Sequence, residues 1–149
     1  MAIVYYNLPV GNRPIGITYV GPGFTTSSRF ETEVSPKLFE GKTQWDVGKA
    51  TPPLSEYAAT TAACSYMNKL VHQNKFPSGV TVTSASWHPF NSSLGQYFWV
   101  VRFQSEESES EQMTSSISLV VLMDGMVVEP KITKREDLNE DAKTDSLAK

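Results

Sequence analysis

The stretch Trp87-His88-Pro89-Phe90-Asn91-Ser92-Ser93-Leu94-Gly95 concentrates the residue types most able to do chemistry. Two large aromatics and a histidine stand there among turn formers, which reads as a hairpin tip. Aromatics on an exposed loop supply binding energy at low entropic cost. The plainer reading folds Trp87 and Phe90 back onto the core. His88 could act as an acid or base only beside a carboxylate, and none adjoins it in sequence. His72 falls at the end of a helix signature, where a cation suits the negative pole of the dipole, so a capping or solvated role is expected. Cys64 is the sole cysteine, so no intrachain disulfide can form, and nothing marks it as a nucleophile. Two scattered histidines and one cysteine do not build a zinc site. No catalytic residue, metal ligand or cofactor-binding residue is therefore expected.

The acidic run Ser105–Glu111 interleaves Glu106, Glu107, Glu109 and Glu111 with serines. Carboxylates suit calcium, but the run lacks the spacing and turn glycine of an EF-hand. It reads as a solvated connection, a discouragement to edge pairing, or an acidic contact for a basic partner. Asn91-Ser92-Ser93 matches a glycosylation sequon, which matters only in a secreted chain. No phosphate loop, dinucleotide glycine pattern, nucleophile elbow or HExxH motif occurs.

These residues have to be held by strands around one helix. Residues 1–50 are rich in turn formers, with β-prone runs at Ile3–Leu8 and Ile15–Val20 and a break at Gly21-Pro22-Gly23. Phe30, Thr32 and Val34 alternate with Arg29, Glu31 and Glu33, as in a strand with one buried face. Trp45 and Val47 are apolar anchors leading into a helix over 51–76, capped by Thr51 with Pro52 and Pro53 in its first turn. Its apolar side collects Ala58, Ala59, Ala62, Ala63, Tyr66 and Leu70, with Cys64 opposite. Small side chains let a helix lie close to a sheet, so the helix should be cradled by a curved one.

Strands follow at Val80–Trp87, closed by His88-Pro89, then Tyr97–Gln104, Ser115–Met123 and Met126–Ile132. The last two meet in a type I′ hairpin signal at Asp124-Gly125. Tyr97, Trp99, Val101 and Phe103 share one face, and Ile117, Leu119, Val121 and Met123 form the core face of the next strand. Phe98, Val100, Val120 and Leu122 gather on the opposite face, where each is worth roughly 1.5–3 kcal/mol if fully buried. Something should cover them: the N-terminal strands, a second subunit or a ligand. The fold class is thus α+β, one main helix on a curved antiparallel sheet of about four strands with additional short N-terminal strands. One domain spans 1–133, and the charged segment 134–149 reads as a flexible tail.

Composition agrees with one globular domain. The chain has 149 residues, 40% hydrophobic and 19% charged, enough to bury roughly 68–70% of its unfolded surface. A formal charge of −3 gives no reason to expect nucleic acid. No window is long and apolar enough to span a bilayer. Met1–Gly11 lacks the basic and apolar regions of a signal peptide, so a cytoplasmic protein is expected, or a secreted one if a leader is removed.

The Ala-rich helix from Leu54 to Val71, the run Tyr97–Phe103 and Leu119–Val128 around Asp124-Gly125 together resemble the cystatin-like and NTF2-like superfamily of α+β rolls. The Gln-x-Val-x-Gly loop of cystatin inhibitors is absent, so protease inhibition does not carry over. The NTF2-like resemblance implies a cone-shaped pocket lined by Asp, His or Tyr, where this chain offers mainly Phe98, Val100, Arg102 and Gln104. Three readings result. The first is a non-enzymatic binding domain using its apolar sheet face or the 87–95 tip, with Trp87, His88, Phe90, Phe98, Val100 and Arg102 as binding residues. Its partner is then a protein or a second copy in a homodimer, with neither nucleic acid nor membrane. The second is an NTF2-like small-molecule pocket with weak hydrolase or isomerase activity through His88. The third is an accessory or immunity-type protein that binds one macromolecule through its acidic loop.

Overall fold

The computed structural model describes residues 16–42, 44–105 and 115–134. Its strands, in chain order, are β1 (Thr18–Phe24), β2 (Ser28–Val34), β3 (Val80–Asn91), β4 (Gln96–Ser105), β5 (Ser116–Leu122), β6 (Val127–Val128) and β7 (Lys131–Lys134). Helix α1 (Glu56–His72) lies between β2 and β3. The seven strands form one antiparallel sheet in the order β3-β4-β5-β1-β2-β7, with β6 also on β5. The class is α+β as expected, but dominated by the sheet rather than built as one helix on four strands. The single strand expected over Met126–Ile132 is interrupted at Glu129-Pro130, because proline cannot donate to a ladder. One half, β6, stays on β5 at Val120↔Val128; the other, β7, pairs with β2 at Phe30↔Ile132.

Period-two alternation along β4 and β5 sorts their side chains onto two apolar faces. Trp99, Val101, Phe103, Ile117, Leu119 and Val121 are buried against Ala59, Ala63, Met67 and Leu70 of α1. The helix begins at Glu56 and not at Thr51. Ser55 is its cap, its Oγ accepting the Ala58 N–H at 3.1 Å. The residue before a proline is pushed out of helical conformation, so Pro52-Pro53 delays the start. The helix ends at His72; beyond it Asn74 turns left-handed at φ 57°, and two bonds close the end, Asn74 N–H to Val71 O and Lys75 N–H to Leu70 O. Cys64 packs half-buried against the same core, not on a polar side.

The far face is also covered. Phe98, Val100, Val120 and Leu122 pack with Val20, Val34, Phe39 and Val128. Of the three covers expected, residues of β1, β2 and the short 3-10 turn Pro36–Phe39 supply one. Gly21-Pro22-Gly23 is not a break but an irregularity inside β1, whose register with β2 shifts between Val20 and Gly23. There β1 crosses β5 so closely that a Cβ on Gly23 would lie 2.6 Å from the Ser116 carbonyl oxygen. Only glycine fits that approach.

Two turns differ from expectation. β3 runs through His88-Pro89 to Asn91, since an edge strand tolerates proline whose nitrogen faces outward. The β5–β6 turn has three residues, Met123, Asp124 and Gly125, between the bonded pair Leu122 and Met126, and is closed by Gly125 N–H to Leu122 O and by Leu122 N–H to Met126 O. Only Gly125 takes positive φ, at 92°. It is therefore a type I turn with a glycine bulge, not type I′. Burial alone would push the Asp124 carboxyl up, but the Lys42 ammonium and the Met126 N–H bond it and hold it below its usual value. The expected strand Ile3–Leu8, the glutamates of the acidic loop and residues 135–149 of the tail lie outside the described residues.

Candidate binding groove

The β3–β4 connection is a 3-10 turn, Ser92–Leu94, closed by Gly95 in left-handed conformation. Its geometry fixes a second loop. The Trp45 N–H donates to Gly95 O at 2.9 Å, and a Cβ on Gly95 would lie 3.1 Å from both Gln44 Cβ and Trp45 N. Residues 44–48 are thereby seated on the turn. Behind them, three rings meet edge to face: Trp45–Trp87 at 5.0 Å, Trp45–Tyr97 at 5.1 Å and Trp87–Tyr97 at 5.7 Å between centroids. Such pairs add roughly 0.5–1.5 kcal/mol each beyond buried area. The Trp45 Nε1–H is satisfied by Ala50 O at 3.0 Å, which ties the loop towards the helix.

Between loop and turn lies an open groove of about 660 Å³, lined among others by Gln44, Trp45, Asp46, Val47, Leu94 and Tyr97. Two aliphatic side chains of the lining stand exposed, Val47 of the loop at 38% and Leu94 of the turn at 51%. Trp87 nearby keeps 39% of its surface in water. The polar rim includes Asp46, whose carboxylate accepts the Gly48 N–H and pairs with Lys49 at 3.7 Å.

The six binding residues expected from the sequence do not form one site. Trp87 joins the aromatic cluster on the helix side. Phe98 and Val100 are wholly buried in the far-side core. Phe90 stacks on Phe39 at 4.7 Å on that side, as the plainer reading held. Arg102 is half-buried opposite Ser84 in register. His88 lies 6.2 Å from the Phe98 ring, with Nε2 2.9 Å from Ser86 Oγ. Burial pushes its imidazole below the ordinary value, so near neutrality it is uncharged, and a bare Nε2 accepts a hydrogen bond from the Ser86 hydroxyl. Neither this groove nor a second cavity of about 280 Å³ beside Thr25–Ser27 and Phe76–Ser78 is lined by His88 or Ser86.

Groove residues that sequence reasoning left out of the site are Trp45, Val47, Leu94 and Tyr97. Trp45 and Val47 carried a signal as apolar anchors, and Leu94 lay in the tip. What was missing was their juxtaposition, a contact across some fifty positions of chain that no periodicity encodes. Among the described residues, no cluster of three or more His, Cys, Asp or Glu could hold a metal ion, and no helix is long and apolar enough to cross a membrane. No family model, curated protein or solved structure matches the chain.

Proposed function

We propose that the chain is a non-enzymatic binding domain that grips an apolar side chain of a protein partner between the 44–48 loop and the Ser92–Leu94 turn. One observation carries this reading: Val47 of the loop and Leu94 of the turn stand exposed in the lining of a groove that also includes the edge-to-face pair Trp45 and Tyr97. Interfaces are anchored by a few apolar contacts in a preformed pocket with a polar rim. Gln44, Asp46, Ser92 and Ser93 add polar groups to the same lining. An open trough of this kind suits a projecting side chain better than an enclosed small molecule. The NTF2-like pocket finds less support, because Phe98 and Val100 are packed against Val20, Val34 and Phe39. Resemblance to an α+β roll is supported by the order α1, β3, β4, β5, with the helix on one face of the strands.

The test is selection of displayed peptides against the folded chain. Selected peptides should carry a Leu-, Phe- or Trp-type anchor. Leu94→Asp or Val47→Asp should weaken them at least about tenfold, with unchanged circular dichroism. Peptides that bind both variants as tightly as the original chain would overturn the proposal.

A further inference from the structure

The outer edge of β3 is a line of backbone donors and acceptors whose phase can be read from its neighbours. On β4, the Ser105 N–H donates to Ser115 O at 2.9 Å. Backbone groups alternate sides along a strand, so odd-numbered residues of β4 turn towards β5 and even-numbered ones towards β3. The Gln104 and Arg102 carbonyls agree, accepting the Thr81 and Thr83 hydroxyls of β3 at 3.3 Å each. Ser84, Ser86 and His88 stand opposite Arg102, Val100 and Phe98, and so turn inward. Ala85 and Trp87 therefore hold N–H and C=O outward. Pro89 follows in the same phase with no N–H to give.

This edge is unusual in what it lacks. Val80 to Asn91 contains no Lys, Arg, Asp or Glu, so only Pro89 and two register irregularities blunt this edge, and none of these falls between Ser84 and His88. Among the described residues, β3 is the end strand of the sheet, paired only with β4. Irregular register between Val82 and Ser84, and again between Pro89 and Asn91, bounds the regular stretch to Ser84–Pro89.

We propose that β3 pairs antiparallel with β3 of a second copy of the chain, with Ser86 on the two-fold axis. In that register Ala85 of each protomer faces Trp87 of the other as a hydrogen-bonded pair, giving four N–H···O bonds. Two features select a second copy. Size is complementary, the small Ala85 beside the large, partly exposed Trp87. Charge is permissive: a chain of formal charge −3 meets itself along a neutral seam, with no like charges opposed. The pairing does not depend on occupancy of the groove.

Cysteine cross-linking in a Cys64→Ala background tests the register directly. Ser86→Cys should form a disulfide-linked dimer on mild oxidation. Ser84→Cys should not, because its twin would lie about 13 Å away along the strand. Light scattering should give twice the chain mass, and Ala85→Pro, which removes one outward N–H, should return the monomer. If Ala85→Pro fails to fold, the contrast between the two cysteines still decides. Monomer mass throughout, or equal cross-linking at positions 84 and 86, would overturn the inference. Leu94→Asp should weaken peptide capture at least about tenfold and leave the dimer intact.

Discussion

His88 shows how one residue's environment sets a measurable response. Burial against Phe98 disfavours its charged form, and the Ser86 hydroxyl is partnered with Nε2. The sign of the linkage follows. Below the ordinary value of 6.5 the unfolded chain takes up a proton that the folded chain refuses, so the unfolded state binds more protons. This contribution to stability is present above 6.5 and lost as pH falls towards the depressed folded value. Urea unfolding between about pH 7.5 and 5.5 should therefore show a larger loss for the original chain than for His88→Gln. An NMR titration placing His88 above 6.5 would contradict it. The histidine was legible in the sequence as a candidate, but its partner was not. A strand thought to close at His88-Pro89 gives no reason to look two residues back, where Ser86 shares its face.

At the scale of elements, β4 and β5 were legible almost to the residue, because apolar neighbours on both faces make their alternation regular. The helix was legible in its buried alanines and misplaced at its start. Thr51 followed by two prolines imitates a cap and first turn, yet Ser55 accepts the bond. Substitution separates the two. Ser55→Ala should cost about 1 kcal/mol, within a usual span of roughly 0.5–2, while Thr51→Ala should fall within about 0.5 kcal/mol of no change. Chemical denaturation of both variants measures the difference, and a larger loss for Thr51→Ala than for Ser55→Ala would return the cap to Thr51. The Gly-Pro-Gly stretch was misread for a related reason. Glycine and proline punctuate turns, but they also mark places where one backbone passes close to another, and Gly23 against Ser116 is such a place.

For the whole molecule, a second apolar face was legible, and so was its need for a cover; which cover was not, since that depends on pairing between distant segments. Residues 18–39 now supply it through Val20, Val34 and Phe39. Burial of Phe98, Val100, Val120 and Leu122 contributes roughly 1.5–3 kcal/mol for each side chain. Four such contributions are comparable with the total stability of a domain, about 5–15 kcal/mol. The helix and meander therefore cannot stay folded with that face bare, and β1–β2 is an integral layer, not a detachable flap. Val34→Ala, at a fully buried position, should lower stability by about 2 kcal/mol and keep one cooperative transition. Far-UV circular dichroism follows the whole sheet, whereas Trp45, Trp87 and Trp99 report only the helix side. Their urea curves should coincide in the variant as in the original chain. Dichroism moving ahead of tryptophan fluorescence, with an apolar-surface dye binding at intermediate urea, would mean that the N-terminal layer lifts off first.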